Sequence, residues 1–185
     1  MTMNIAKLYD KQVILLKPLL NEIKKQIKKG DSVVDLGCGT GAYIKVLEKQ
    51  VGKNGKIVCI DNNKQMILYC RKKFSKPNIL FKRLSAEKLS SLVKKFDVVF
   101  ASLVLQFTKA ERAISEIKKS LKPNGKLIFS IPLYRTGINI GFDEESKKFK
   151  FEFEKNLKDE LKKADIKNKP SLEYTNFRSR LFKRL

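Results

Sequence analysis

Hydrophobic positions along the chain fall into short blocks whose spacing alternates between helical and extended. Leu8, Leu15, Leu16, Leu19, Leu20, Ile23 and Ile27 recur at intervals of three and four, which predicts a helix or a pair of helices over 5–29. Gly30 follows, where a left-handed residue commonly closes a helix. The pattern then predicts a strand over 32–36 and a helix over 42–51, stopped by Gly52 and the Asn54-Gly55 turn. A strand over 56–60, a helix over 64–74, a strand over 79–82 and one or two helical turns over 87–93 come next. The series ends with a strand over 96–101, a helix over 109–121 and a strand over 125–131. Ile57-Val58-Cys59-Ile60 and Val98-Val99-Phe100-Ala101 show no polar alternation, as expected of strands covered on both faces. Strands alternating with helices imply βαβ crossovers, so the fold class is α/β with a doubly wound, mostly parallel sheet.

Beyond Pro132 the pattern changes. Phe149, Phe151 and Phe153 alternate with charges like a strand, while Phe149, Phe153, Leu157 and Leu161 recur every four residues like a helix. We expect a helix over 156–164, a terminal strand over 171–177 and a basic tail over 178–185. The length suits one domain over 1–185: a helical cap (1–29), a binding core (30–132), and a substrate-side and C-terminal region (133–185).

Composition removes several chemistries. There is no histidine, so neither a Ser-His-Asp nor a Cys-His unit can form. Cys38, Cys59 and Cys70 form no C-x-x-C pair, and buried, reduced thiols are expected rather than disulfides or a metal site. No apolar run approaches the roughly 20 residues that cross a bilayer, and the N-terminus lacks a signal-peptide pattern; the expectation is a cytoplasmic protein with no membrane span. The net charge of +22 is spread along the whole chain. It favours polyanionic partners such as RNA or an acidic carrier, or else reflects a solvated lysine-rich surface.

The candidate chemistry lies between the first strand and its helix, in Asp35-Leu36-Gly37-Cys38-Gly39-Thr40-Gly41. Glycines at such a turn let a ligand approach the main chain at a helix N-terminus. Gly37-x-Gly39-x-x-Ala42 fits a dinucleotide fingerprint. Asp35, however, would repel a pyrophosphate and attract an ammonium. Gly41 makes the spacing G-x-G-x-G, and no Gly-Lys-Ser/Thr phosphate loop is present. S-adenosylmethionine (SAM) carries an ammonium, a sulfonium and no phosphate, so it suits the turn better.

The same run strongly resembles motif I of the class I SAM-dependent methyltransferases, particularly their ubiquinone-type and small-molecule branch. The likeness runs from about Gly30 to Pro132 in the family's order. It implies a Rossmann-like fold, here with an N-terminal helix and a shortened C-terminal end, and SAM as the cofactor. Asp35, Gly37, Cys38, Gly39 and Gly41 would form the cofactor turn. Asp61 matches the acidic residue that holds the ribose hydroxyls, with Asn62 beside it, and Met66 matches the residue against the adenine face. Leu84-Ser85-Ala86-Glu87 resembles the adenine-edge loop, implicating Ala86 and Glu87, with Ser85 where the family usually has Asp. The run 96–103 resembles the fourth-strand motif, whose Ser102 would border the methionine portion, and 121–127 resembles the family's turn into the fifth strand.

Methyl transfer works mainly by holding donor and acceptor in line, so a missing histidine is no obstacle. Ser102, Gln106 and Tyr134 are the catalytic candidates near the fourth-strand exit. No N-P-P-Y or D-P-P-Y run follows that strand, which argues against an adenine or glutamine amide acceptor. Leu105-Gln106-Phe107 resembles the Leu-Gln-Trp of methyltransferases acting on carboxylates, the malonyl-carrier-protein type among them. The expected acceptor is a small molecule or a carrier-bound acid. The alternatives are a tRNA or rRNA methyltransferase using the basic surface, and a non-catalytic SAM-binding regulator.

Overall fold

The computed structural model describes residues 17–130 together with Asp159. The start of the expected first helix, and every expectation placed beyond Ser130, Tyr134 included, lie outside the described residues. Helix α1 (Lys17–Gln26) leads to β1 (Ser32–Leu36), α2 (Ile44–Val51), β2 (Lys56–Asp61), α3 (Lys64–Lys73) and β3 (Ile79–Arg83). A 3₁₀ helix (Ala86–Leu92), β4 (Phe96–Ser102), a short 3₁₀ turn (Leu105–Phe107), α4 (Ala110–Ser120) and β5 (Leu121–Ser130) complete the order.

The five strands form one parallel sheet in the order β3-β2-β1-β4-β5. Successive side chains on a strand point to opposite faces, and the sheet is apolar on both. Val33, Cys59, Val98, Phe100 and Ile128 lie in the same core as Ile23 of α1, Leu47 of α2 and Ile67 of α3. Val34, Ile60, Val99 and Ala101 share the other core with Leu89, Leu105, Ile114 and Ile117. Helix α4 buries Ala110, Ala113, Ile114 and Ile117, one stripe at helical spacing.

Three elements differ from the sequence expectation. The segment after β3 is a 3₁₀ helix interrupted at Lys88 (φ −133°), because it buries only Ala86 and Leu89 and has no continuous apolar stripe to wind around. Helix α2 begins at Ile44 rather than 42, since Ala42 and Tyr43 still belong to the turn. Leu121, read as the last helical residue, instead pairs with Phe96 in β5, and the ladder resumes at Val98–Lys126 after an irregularity. The strand order reverses between β1 and β4. In doubly wound sheets the crevice outside the carboxyl ends at that point is where ligands bind.

Candidate functional site

The glycine turn leaves β1 at this switch point and is strapped to its neighbour. The amides of Gly37 and Cys38 both donate to the carbonyl of Ile60, at 2.8 and 2.9 Å. At Gly37 (φ +71°) a Cβ would fall 2.4 Å from Val104 Cγ2, so only glycine lets the turn pass beneath the loop after β4. Asp61, the last residue of β2, fixes the turn from the side: Oδ2 accepts from the Gly39 amide at 2.9 Å and Oδ1 from the Asn63 amide at 2.8 Å. Asn63 in turn caps α3 by accepting from the Gln65 amide at 2.8 Å.

The turn, the ends of β2 and β4 and the loop after β3 enclose a cavity of about 580 Å³. Asp35, Gly37, Cys38, Gly39, Asp61, Asn62, Met66, Ala86, Glu87 and Ser102 all line it. Asp35 is buried and its Oδ2 has no hydrogen-bond partner among the described residues. Burial, reinforced by the negative charge of Asp61, pushes its carboxyl up to about 7. Glu87 reaches the rim, but its Oε1 accepts from the Lys109 amide at 2.9 Å, which ties the loop after β3 to the start of α4. Ser85 caps its own 3₁₀ helix through the Glu87 amide at 3.3 Å.

Two expected site residues do not line the cavity. At Gly41 (φ +79°) a Cβ would lie 2.5 Å from Phe74 Cε2 and 2.8 Å from Ile44 Cδ1. That glycine seats the turn against α2 and the end of α3. Gln106 turns back on its own loop, where Nε2 donates to the Leu103 carbonyl at 2.9 Å.

Other lining residues were not named as site residues from the sequence. Tyr43 is buried, meets Phe100 edge-on at 4.8 Å between ring centroids, and accepts from Ser102 Oγ at 3.4 Å. Ser102 also shares a hydrogen bond with Ser130 Oγ at 3.1 Å, so hydroxyls link the ends of β4 and β5 to the turn. Burial pushes the Tyr43 phenol up to about 12, against the opposing pull of Ser102. Its place just after Gly41, before helical spacing begins, was the available signal. Leu103, Val104 and Phe107 form an apolar lip, with Leu103 held at φ +53° and Phe107 79% exposed. Three free, buried thiols meet at the turn: Cys38 within it, Cys59 and Cys70. Cys38 interacts with both of the others, and Cys70 Sγ donates to the Gly39 carbonyl at 3.2 Å. Among the described residues no group of His, Cys, Asp and Glu is arranged to hold a metal ion. No described helix is long and apolar enough to cross a membrane.

A parallel sheet with this order, a glycine turn at its switch point and an acid-lined cavity above it defines a nucleoside-binding Rossmann-like domain. The family model described as "Methyltransferase domain" matches residues 27–176. The chain therefore belongs to that family, within the class I SAM-dependent methyltransferases. It is 37% identical over 110 residues to the ubiquinone/menaquinone biosynthesis C-methyltransferase UbiE of Wigglesworthia glossinidia brevipalpis, covering 55% of this chain and 44% of that one. It is 29% identical over 154 residues to the malonyl-[acyl-carrier protein] O-methyltransferase of Acetivibrio thermocellus, covering 80% of this chain and 54% of that one. The crystal structure of a SAM-dependent methyltransferase from Aquifex aeolicus superposes with a TM-score of 0.57 at 26% identity, covering 65% of this chain and 66% of that one. The chain spans about half the length of the curated relatives it matches.

Proposed function

We propose that this chain binds SAM in the switch-point cavity and transfers its methyl group to a small-molecule or carrier-bound acceptor. One observation carries the reading: in a chain of net charge +22, the described residues of the cavity lining include Asp35, Asp61 and Glu87 and no lysine or arginine. The charged groups among these described residues would repel a dinucleotide pyrophosphate, whereas a ligand bearing a sulfonium and an ammonium is attracted. The unpartnered, buried Asp35 Oδ2 is an acceptor awaiting a cation or donor.

Asp61 would hold the ribose hydroxyls with the lone pairs left after its two amide bonds, and Met66 and Ala86 would border the adenine. Asp35, Cys38 and the open face of Gly39 would receive the amino-acid end, with Ser102 beside it. When bound, SAM supplies the methyl group as an electrophilic carbon on sulfur. The chain contributes orientation and exclusion of water: the Asp61–Gly39 bond holds the turn, Tyr43 and Ser102 close the floor, and Leu103, Val104 and Phe107 face the acceptor side. That apolar lip suits a small organic acceptor or one presented on a carrier arm, and the names of the quinone-pathway and carrier-protein relatives are compatible with either.

Calorimetric titration should show SAM binding, no measurable binding of NAD⁺, and loss of SAM binding on Asp61→Ala. Binding of NAD⁺ in place of SAM would overturn the donor assignment. Methyl-labelled SAM incubated with fractionated metabolite, carrier-protein and RNA pools tests the acceptor: label should enter the metabolite or carrier fraction. Label confined to RNA would reverse the acceptor reading.

A further inference from the structure

The topology gathers lysines at the amino edge of the sheet, the end opposite the glycine turn. Lys28 and Lys29 precede β1, Lys53 and Lys56 enter β2, Lys76 precedes β3, Lys94 and Lys95 precede β4, and Lys119 and Lys122 flank the entry to β5. Part of this charge is accounted for by the fold. Helix C-termini emerge here with unpaired carbonyls; Lys29 Nζ donates to the Lys49 carbonyl at 2.6 Å, and Lys95 Nζ donates to the Lys119 carbonyl. Lys76, Lys119 and Lys122 pair with Glu48, Glu116 and Asp97 at 3.5, 3.1 and 2.8 Å. Four ammonium groups remain, those of Lys28, Lys53, Lys56 and Lys94. All are exposed, and none has a carboxylate or carbonyl partner among the described residues. The nearby Asp31 is engaged with the Lys28 backbone amide at 2.7 Å, and Asp97 with Ser32 and Lys122. The four belong to connections entering β2, β1 and β4, three neighbours in the sheet, whose outer members lie about 10 Å apart.

We propose that this edge is a docking surface for the phosphate backbone of a nucleic acid, one that anchors the protein without presenting a nucleotide to the glycine turn. Lysines make point contacts to phosphate and lack the fork that reads bases, so the binding is sequence-independent. An acidic carrier docked here could not deliver its cargo, because the cavity opens at the opposite end of the strands. An anionic membrane would call for an apolar stripe beside the charges, and Val93 is the single exposed large hydrophobic among the described residues of these connections.

Fluorescence anisotropy with labelled mixed-sequence 20-mers, one RNA and one DNA, between 50 and 300 mM salt tests the proposal (probe length and salt range being of the order of a few phosphate contacts and Debye lengths). The variant Lys28→Gln/Lys53→Gln/Lys56→Gln/Lys94→Gln is compared with a control of equal charge loss toward the opposite end of the sheet, Lys45→Gln/Lys82→Gln/Lys88→Gln/Arg112→Gln, all exposed. The wild type should bind at least one of the two strands. The edge variant should bind about tenfold or more weakly, with its log–log salt slope smaller by about 3, since each phosphate contact on a single strand contributes about 0.7. The control should keep most of the slope. Equal losses in both variants, or wild-type binding to anionic phospholipid vesicles but to neither nucleic acid, would overturn the proposal. Melting curves and SAM titrations run on both variants report folding and the donor site separately, so failure of this surface is distinguishable from failure of the methyltransferase reading.

Discussion

Asp35 is 2% exposed with one oxygen unpartnered among the described residues, so its ionisation opposes folding, while on the proposed reading its charge would attract the donor's cation. Its carboxyl is raised from 3.8 to about 7 by burial and by Asp61. For an acid whose folded pKa is raised, the penalty is absent below the unfolded value, grows as pH rises between 4 and 7, and is complete above that. Asp35→Asn should therefore melt closer to or above wild type at pH 8, by a difference on the order of 1–3 kcal/mol relative to pH 4.5. Its SAM affinity should fall, and the wild-type affinity should itself weaken as pH drops from 8 to 6. A melting difference that did not change with pH would show that Asp35 ionises in the fold as readily as in the unfolded chain, and would sink the raised pKa. Gly37→Ala combines a left-handed φ with a Cβ pressed on Val104, and should cost at least about 2 kcal/mol and abolish SAM binding. Val104→Ala in that background should recover the clash but not the backbone strain, giving partial return of stability in a denaturant titration. The candidate site was legible in sequence where a residue must supply charge at a fixed place, as Asp35 and Asp61 do. It was illegible at Tyr43 and Val104, whose roles come from packing between loops distant in the chain. Gly41 and Gln106 lie outside the described lining for the same reason: a motif position or loop position does not state which way a residue faces.

Among elements, the 3₁₀ helix Ala86–Leu92 is the least self-sufficient, and its hold on the sheet runs through α4. Glu116 Oε2 accepts from the Ser90 amide at 2.9 Å and the Ser90 hydroxyl at 2.6 Å, while Oε1 accepts from Lys119 at 3.1 Å. Burial works against its ionisation, but the Ser90 and Lys119 contacts outweigh it and hold the carboxyl below its usual value. An acid with a depressed folded pKa stabilises above the unfolded pKa, and that contribution disappears as pH falls through the folded one. Glu116→Gln should accordingly destabilise by about 1 kcal/mol at pH 7 and by much less at pH 3, read from urea midpoints. The loop carrying Ala86 and Glu87 should exchange its amides faster in the same variant, which links this pair to the rim of the cavity. Strands and helices that bury a continuous stripe, such as β2, β4 and α4, were visible as patterns within a few residues of their true ends. The 3₁₀ segment and the Leu121 ladder were not, because tertiary contacts from α4 and from Phe96 decide them rather than local spacing.

At the scale of the molecule, a net charge of +22 sits on a chain whose described residues contain three carboxylate–lysine pairs, all with partly or largely exposed lysines. Exposed pairs contribute little individually, so the balance of long-range electrostatics is repulsive and opposes the compact state. Screening should then stabilise the fold. Raising sodium chloride from about 20 to 300 mM shrinks the screening length from roughly 20 Å to under 6 Å, which removes repulsion between lysines on neighbouring connections while leaving buried contacts nearly unchanged. The melting temperature should rise by several degrees over that range at pH 7.5. SAM affinity should move the other way, because the acid-lined cavity attracts its cationic ligand through a field that salt weakens, although the short contacts at Asp35 and Asp61 limit the loss to a few-fold. Opposite salt responses of stability and donor binding are what a basic body with an acidic pocket requires. A melting temperature that fell with salt would mean that attractive pairs dominate instead.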